Sequence, residues 1–188
     1  EDLCGVLGYW RFDGDGLSKP PSPSLTANPV GGFTAVRGRF GDLPGAVAVG
    51  APDDGLATAG GASPLDVGTS DLTVEFWIRT AGSPSWVVPI VQKKHTVSPV
   101  KGFAVVYSHG NGEVSCEFFS SGTEVISSKV RVDDGAWHHL ACVLDRSAGA
   151  TGVLRVHVDG LETHRTELDA GFGSMDNVEA LEFFSATQ

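Results

Sequence analysis

The sequence predicts an all-β fold in which two antiparallel sheets pack face to face as a sandwich. Three observations predict it. The chain has 25 Gly and 10 Pro but a single Met, and it lacks long runs of strong helix formers. Apolar residues recur at every second position through 72–80 and again through 153–158. Turn-forming clusters stand between such runs, among them His109-Gly110-Asn111-Gly112 and Asp159-Gly160.

Taken in order, Val6 to Phe12 (VLGYWRF) reads as an opening strand closed by Asp13-Gly14-Asp15-Gly16. Residues 17–32 contain Pro20, Pro21, Pro23 and Pro29 and read as a loop. Ala46 to Val49 is a short strand, ended by Pro52-Asp53-Asp54-Gly55. In Leu72 to Thr80, Leu72, Val74, Phe76 and Ile78 share one face, while Thr73, Glu75, Trp77 and Arg79 share the other. Charge beside one large aromatic marks the second face as solvent-directed or as a shallow groove. Trp86 to Lys93 is a further strand, and Pro89 within it implies an edge or a bulge.

Gly102 to Tyr107 and Glu113 to Phe119 form the clearest hairpin. Glu124 to Val132 continues the strand pattern up to Asp133-Asp134-Gly135. Trp137 to Asp145 and Val153 to Val158 follow, with Leu154, Val156 and Val158 on one face. Asp159-Gly160 then turns the chain into Leu161 to Leu168, and Ala180 to Ser185 is the last strand. The total is ten to twelve strands in one domain spanning residues 1–188, with no internal repeat.

Composition narrows the function. The chain carries 13 Lys and Arg against 23 Asp and Glu, a formal net charge of -10, so nucleic acid and anionic membranes are poor partners. No apolar run reaches the length of a transmembrane helix. Glu1-Asp2 opens the sequence without a secretory leader, which implies a removed signal or a segment of a longer protein. Cys116 and Cys142 lie in strand-like stretches, and both a bridge between them and two buried thiols fit the pattern. Cys4 could pair outside the chain. No Cys-x-x-Cys spacing signals zinc or redox chemistry.

The segments DLTVEFWIRT (71–80), DGAWHHLACVLD (134–145) and LRVHVDG (154–160) resemble the laminin G-like jelly-roll family of concanavalin A-like folds. LGYWRFDGDG (7–16) and GDLPGAVAVGAPDDGLAT (41–58) are similar to earlier segments of that family, in the family's order. The resemblance implies a calcium near the opening strand, held here by Asp13 and Asp15 with a carboxylate from a closing strand. It also implies a further C-terminal strand pairing with the opening one. Nothing after Phe184 supplies that strand, so this chain is expected to lack it, or to pair there with the missing segment or another chain.

A laminin G-like fold further implies an extracellular, secreted or cell-surface recognition module. The expected partner is a glycan, or alternatively an extracellular protein in an adhesive or structural role. For sugar stacking the candidates are Trp77, Trp86 and Tyr107, with core packing as the alternative for each. Trp137 is expected to plug the sandwich end, and Trp10 to join the core. Asp53 and Asp54 form a second acidic loop with a weaker claim on calcium. A polysaccharide hydrolase is the remaining alternative. It would need paired carboxylates across the scissile bond. Glu75 stands alone, and Glu179 and Glu182, three apart, fall on opposite faces of a strand. His138 and His139 also alternate faces, so they cannot share one metal from that strand. His157 and His164 lie across the Asp159-Gly160 turn as diagonal neighbours.

Overall fold

A computed structural model describes residues 6–12, 25–50, 54–82, 87–108 and 110–184. Among them there is no α-helix, and thirteen strands run β1 (Asn28–Val30), β2 (Thr34–Val36), β3 (Ala46–Ala48), β4 (Gly55–Ala57), β5 (Leu72–Ala81), β6 (Val88–His95), β7 (Lys101–Tyr107), β8 (Val114–Phe119), β9 (Thr123–Ser127), β10 (Asp134–Asp145), β11 (Val153–Val158), β12 (Leu161–Glu167) and β13 (Glu182–Phe183). They form a seven-stranded sheet, β1-β4-β13-β6-β7-β8-β9, a four-stranded sheet, β12-β11-β10-β5, and the separate pair β2-β3, all antiparallel.

Alternation decides which side chains face inward. On β5, Leu72, Val74, Phe76 and Ile78 pack against the core while Thr73, Glu75, Trp77 and Arg79 are exposed. From β10, Leu140, Cys142 and Leu144 enter the same core, and from β11 Leu154, Val156 and Val158 do. The seven-stranded sheet answers with Phe103, Val105, Tyr107, Val114, Cys116 and Phe118. A small second cluster of Ala104, Val106 and Phe119 lies on the far side of that sheet.

Cys116 on β8 and Cys142 on β10 are joined in a disulfide, with 6.0 Å between their Cα atoms. The bond connects the two sheets through the buried layer. By loop closure alone, a cross-link over 26 residues of sequence is worth roughly 3 kcal/mol.

Turn chemistry places the hairpins. Asp159 and Gly160 both adopt positive φ, 52° and 81°, the type I′ geometry that joins twisted strands with two residues. Pro89 sits at a bulge, where the β6–β7 register shifts between Pro89 and Val91. The strand is internal, not an edge. β13 pairs with β6 only at Val91 and Gln92, so the N–H that Pro89 lacks removes no rung there.

The opening run departs from expectation. Residues 6–12 form no strand. Trp10 and Phe12 pack edge-on against Phe183 at 5.0 and 5.3 Å, and the Trp10 indole N–H donates to the Leu25 carbonyl oxygen. Their apolar surface caps the core without joining a ladder. Beside them, β13 lies between β4 and β6 in the seven-stranded sheet.

One end of the sandwich is organised by a buried cation. Lys93 shares the inward parity of Val91 and is 2% exposed. Its Nζ lies 2.8 Å from Asp66 Oδ1 and donates to the Asn177 backbone oxygen at 2.6 Å and to Asn177 Oδ1 at 3.2 Å. Asn177 Nδ2 in turn donates to the carbonyls of Lys93, Lys101 and Met175. Gly102, at φ 119°, allows this approach, because a Cβ there would overlap the Lys93 carbonyl.

The double variant Cys116→Ala/Cys142→Ala is expected to keep its β-rich far-ultraviolet spectrum and to lose roughly 3 kcal/mol of stability, read from urea denaturation. Lys93→Met is expected to cost about as much, roughly 3–5 kcal/mol by the same measurement, since it strands the Asp66 carboxylate without its cation.

Candidate functional site

The outer face of the four-stranded sheet is the described surface on which aromatic and charged groups converge. β5 is the edge strand of that sheet, and its register with β10 sets Trp77 opposite His139 and Arg79 opposite Trp137. The Trp77 and His139 rings lie 5.2 Å apart at 48°. Glu75, on the same face, has Oε2 3.6 Å from His139 Nε2. The Arg79 guanidinium carbon lies over Trp137, 5.4 Å from the ring centroid.

A second element completes the surface. The segment joining β2 to β3 brings Arg39 over Trp77, 4.1 Å from the ring centroid, and the same guanidinium lies 4.0 Å from the Phe40 ring. Arg37 anchors this turn by donating to the Gly41 carbonyl. Phe40 is 78% exposed and Trp77 42% exposed. Phe40, Arg39, Trp77 and His139 therefore form a continuous stack, with Arg79 on Trp137 beside it.

His138 points the other way from His139, as strand alternation requires. Its Nδ1 pairs with Asp159 Oδ2 at 2.9 Å and its Nε2 with Asp134 Oδ1 at 3.1 Å. Asp159 Oδ1 also accepts the His139 N–H, which ties the β11–β12 turn to β10. The Asp159 hydrogen bond holds the His138 pKa above its ordinary value, against partial burial that lowers it. The bond to His138 likewise holds Asp159 below the usual carboxylate range. For Asp134 the first cause of its lowered pKa is the Ala136 N–H.

Several expected residues fall elsewhere. Tyr107 offers no stacking surface. It is 3% exposed, lies in the core, and its hydroxyl donates to the Gly82 carbonyl. Trp137 does not plug the sandwich end, because it stands on the outer face beneath Arg79. A bulge between Val156 and His157 places His164 opposite Val156 and His157 opposite Glu162, so the two histidines are not neighbours on one face. His164 Nδ1 instead meets the Ser127 carbonyl of the other sheet. Trp86, Cys4, Asp13, Asp15, Asp53 and His109 lie outside the described residues. Asp54 acts as a turn residue, accepting the N–H groups of Gly32 and Gly50. Among the described residues, no three His, Cys, Asp or Glu side chains converge to hold a metal ion.

Carboxylates on the seven-stranded sheet do not make a hydrolytic pair. Its outer face carries the row Glu182, Gln92, Ala104, Glu117, one residue from each of four neighbouring strands. Burial pushes the Glu117 carboxyl up, against the pull of Lys94. Three strand spacings put Glu117 and Glu182 about 14 Å apart along the sheet. Glycosidase carboxyls are separated by about 5–10 Å. Gln92 further occupies Glu182 with a 2.7 Å hydrogen bond. Glu179 lies before β13, its Oε1 3.7 Å from His95 Nε2. A cleft of about 250 Å³ opens nearby, lined by His95, Pro99, Lys101, Asp176, Asn177 and Val178.

Arg39 and Phe40 were not legible as site residues. Their one sequence signal is Arg37-Gly38-Arg39-Phe40-Gly41, a turn displaying cations and an aromatic, and nothing in it points to Trp77.

Comparison with known proteins gives a consistent picture of the fold. Residues 50–179 match the Laminin_G_3 family model, described as the concanavalin A-like lectin/glucanases superfamily. No curated protein matches by sequence. Among solved structures, the chain is similar to domain 4 of AbnA, an extracellular GH43 arabinanase from Geobacillus stearothermophilus, determined in complex with arabinotriose. The TM-score is 0.65 at 13% identity, covering 95% of this chain and 82% of that one. It is also similar to the binding domain of botulinum neurotoxin DC, in complex with rat synaptotagmin II (TM-score 0.66, 10% identity, 95% of this chain and 43% of that one). The same domain in complex with SialylT gives a TM-score of 0.64 at 11% identity, with coverage of 95% and 43%. This chain thus spans less than half of those toxin domains, and at such identities the likeness is one of fold.

The His138 cluster makes stability follow pH with a definite sign. The raised His138 pKa stabilises fully below the unfolded value near 6.5, and that contribution is lost as pH rises through the folded value. The lowered Asp159 pKa stabilises above about 4 and is lost as pH falls through its folded value. The urea midpoint should therefore be highest between about pH 4 and 6.5 and decline toward pH 8, and His138→Gln should flatten the alkaline limb.

Proposed function

Because the chain belongs to the concanavalin A-like lectin/glucanase superfamily, we propose that it is a non-catalytic recognition module whose ligand is a carbohydrate. The observation that carries this reading is the exposed stack of Phe40, Arg39, Trp77 and His139 on the β5–β10 face, flanked by Glu75 and Arg79. Saccharides present C–H faces that pack on aromatic rings and hydroxyls that pair with charged and amide groups. Both kinds of partner are on this surface, and its residues stand on a paired strand and an anchored turn, so little order is lost on binding.

The separation of Glu117 from Glu182 supports a binding role over hydrolysis. The arabinotriose and SialylT complexes of proteins with this fold are in keeping with a saccharide ligand, and the synaptotagmin complex with a protein one. The Cys116–Cys142 disulfide supports an oxidising setting, extracellular or at the cell surface. Calcium at Asp13 and Asp15 belongs to the same proposal as a structural ion near the opening segment.

Screening on a glycan array in calcium-containing buffer, followed by calorimetry on the ligands found, tests the reading. Trp77→Ala is expected to fold as the parent does and to weaken saccharide binding at least tenfold, about 1.4 kcal/mol. Silence across the array, with retention of an extracellular protein that Trp77→Ala releases, would replace this reading with a protein-adhesion role. Release of reducing sugar that disappears in Glu75→Gln would replace it with hydrolysis.

A further inference from the structure

We propose that the β5–β10 face selects saccharides bearing carboxylate groups, uronic or other sugar acids, and that Arg39 and Arg79 are the residues that recognise the carboxylate. The inference rests on the carbohydrate reading above and narrows it to a ligand class.

The argument begins with how the arginines are used. Arg131 pairs with Asp133, and Arg155 with Asp145 and Glu162. Arg146 is spent on the carbonyls of Ser70, Phe172 and Gly173, and Arg37 on that of Gly41. Arg39 and Arg79 differ. Among the described residues neither has a carboxylate partner, a feature that Arg165 on β12 shares, but only Arg39 and Arg79 lie over a tryptophan of this sheet face. In a chain with 23 acidic residues against 13 basic ones, two such exposed cations on one sheet face are a local departure from the overall charge.

Stacking shapes what these groups can bind. A guanidinium lying on an aromatic ring keeps its N–H donors in its own plane, directed away along its edges, and that fork matches a carboxylate. The ring also restrains a side chain that would otherwise lose considerable rotamer freedom on binding. Trp77 and Arg79 are two residues apart on one face of β5, about 7 Å along the strand. The guanidinium held over Trp77 and the side chain of Arg79 therefore share one face of the sheet. Glu75, two residues further along, accepts hydroxyl hydrogens, and Phe40 offers an apolar ring to the sugar's C–H face.

The same charges set an upper bound on the anion. Glu75 stands beside the arginines, Asp145 and Glu162 lie further across the face, and the whole chain carries -10. A densely sulfated chain or a nucleic acid would meet repulsion over most of its length. One carboxylate per sugar, spaced by neutral hydroxyls, meets its cations without that penalty.

The test uses the whole chain on an array of matched pairs in calcium-containing buffer, each sugar-acid oligosaccharide beside its carboxyl-reduced form, with heparin as a polysulfated arm. The acid forms are expected to bind at least tenfold more tightly than their reduced partners, with affinity falling as salt is raised. Arg39→Gln and Arg79→Gln should each bring the acid-to-reduced ratio close to one, while Arg79→Lys restores only part of it because the fork is lost. An unchanged denaturation midpoint confirms that the variants fold. Equal binding of acid and reduced forms, lost in Trp77→Ala, would overturn the carboxylate inference and leave carbohydrate binding standing. Preference for heparin would overturn it as well. No binding to any saccharide would overturn both.

Discussion

The ladder between β5 and β10 is the constraint on which the other features depend. Its rungs run from Leu72–Leu144 to Arg79–Trp137, and a single shift of register would exchange the two faces of either strand. In the observed register Cys142 faces inward and meets Cys116, Leu140 and Leu144 enter the core, and Trp77 with His139 stands outside. The apolar alternation of residues 72–78 enforces that choice, because the slipped arrangement would turn Phe76 and Ile78 to water and bury Glu75 and Arg79. Recognition chemistry on one face is thus held in place by hydrophobic burial on the other.

Where burial and alternation agree, the fold could be read directly from the residues. Leu72–Ala81 and Val153–Val158 are such stretches, and Asp159-Gly160 announced its own turn. Tyr107 shows where this fails. In Gly102 to Tyr107 both faces are apolar or small, so alternation could not say that Phe103, Val105 and Tyr107 turn inward. The opening run, Val6 to Phe12, is apolar because Trp10 and Phe12 cap the core against Phe183, and apolar content alone does not separate capping from strand pairing. Lys93 was masked by its charge, since a lysine at the end of a strand reads as solvated until Asp66 and Asn177 arrive from distant loops.

The candidate surface was half legible for the same reason. Trp77 and Glu75 follow from strand parity, whereas Arg39 and Phe40 arrive from a segment nearly forty residues earlier whose own pattern does not name its destination. Contacts between a loop and a sheet face depend on where the whole chain travels, and no short spacing encodes them. The acidic composition also misled locally. An average over 188 residues hides the guanidinium groups of Arg39 and Arg79, which have no carboxylate partner among the described residues, and binding is governed by the field at the contact.

The bond between Cys116 and Cys142 closes a covalent ring that contains the end of β8, all of β9 and the first part of β10. A protease that cuts inside this ring, for instance in the exposed turn around Lys129, cannot separate the two halves of the molecule. The nicked polypeptide would migrate as one species until a reductant opens the ring. The ring also includes Trp137 and His139, so even after such damage part of the outward-facing surface stays tethered at the point where the two sheets meet.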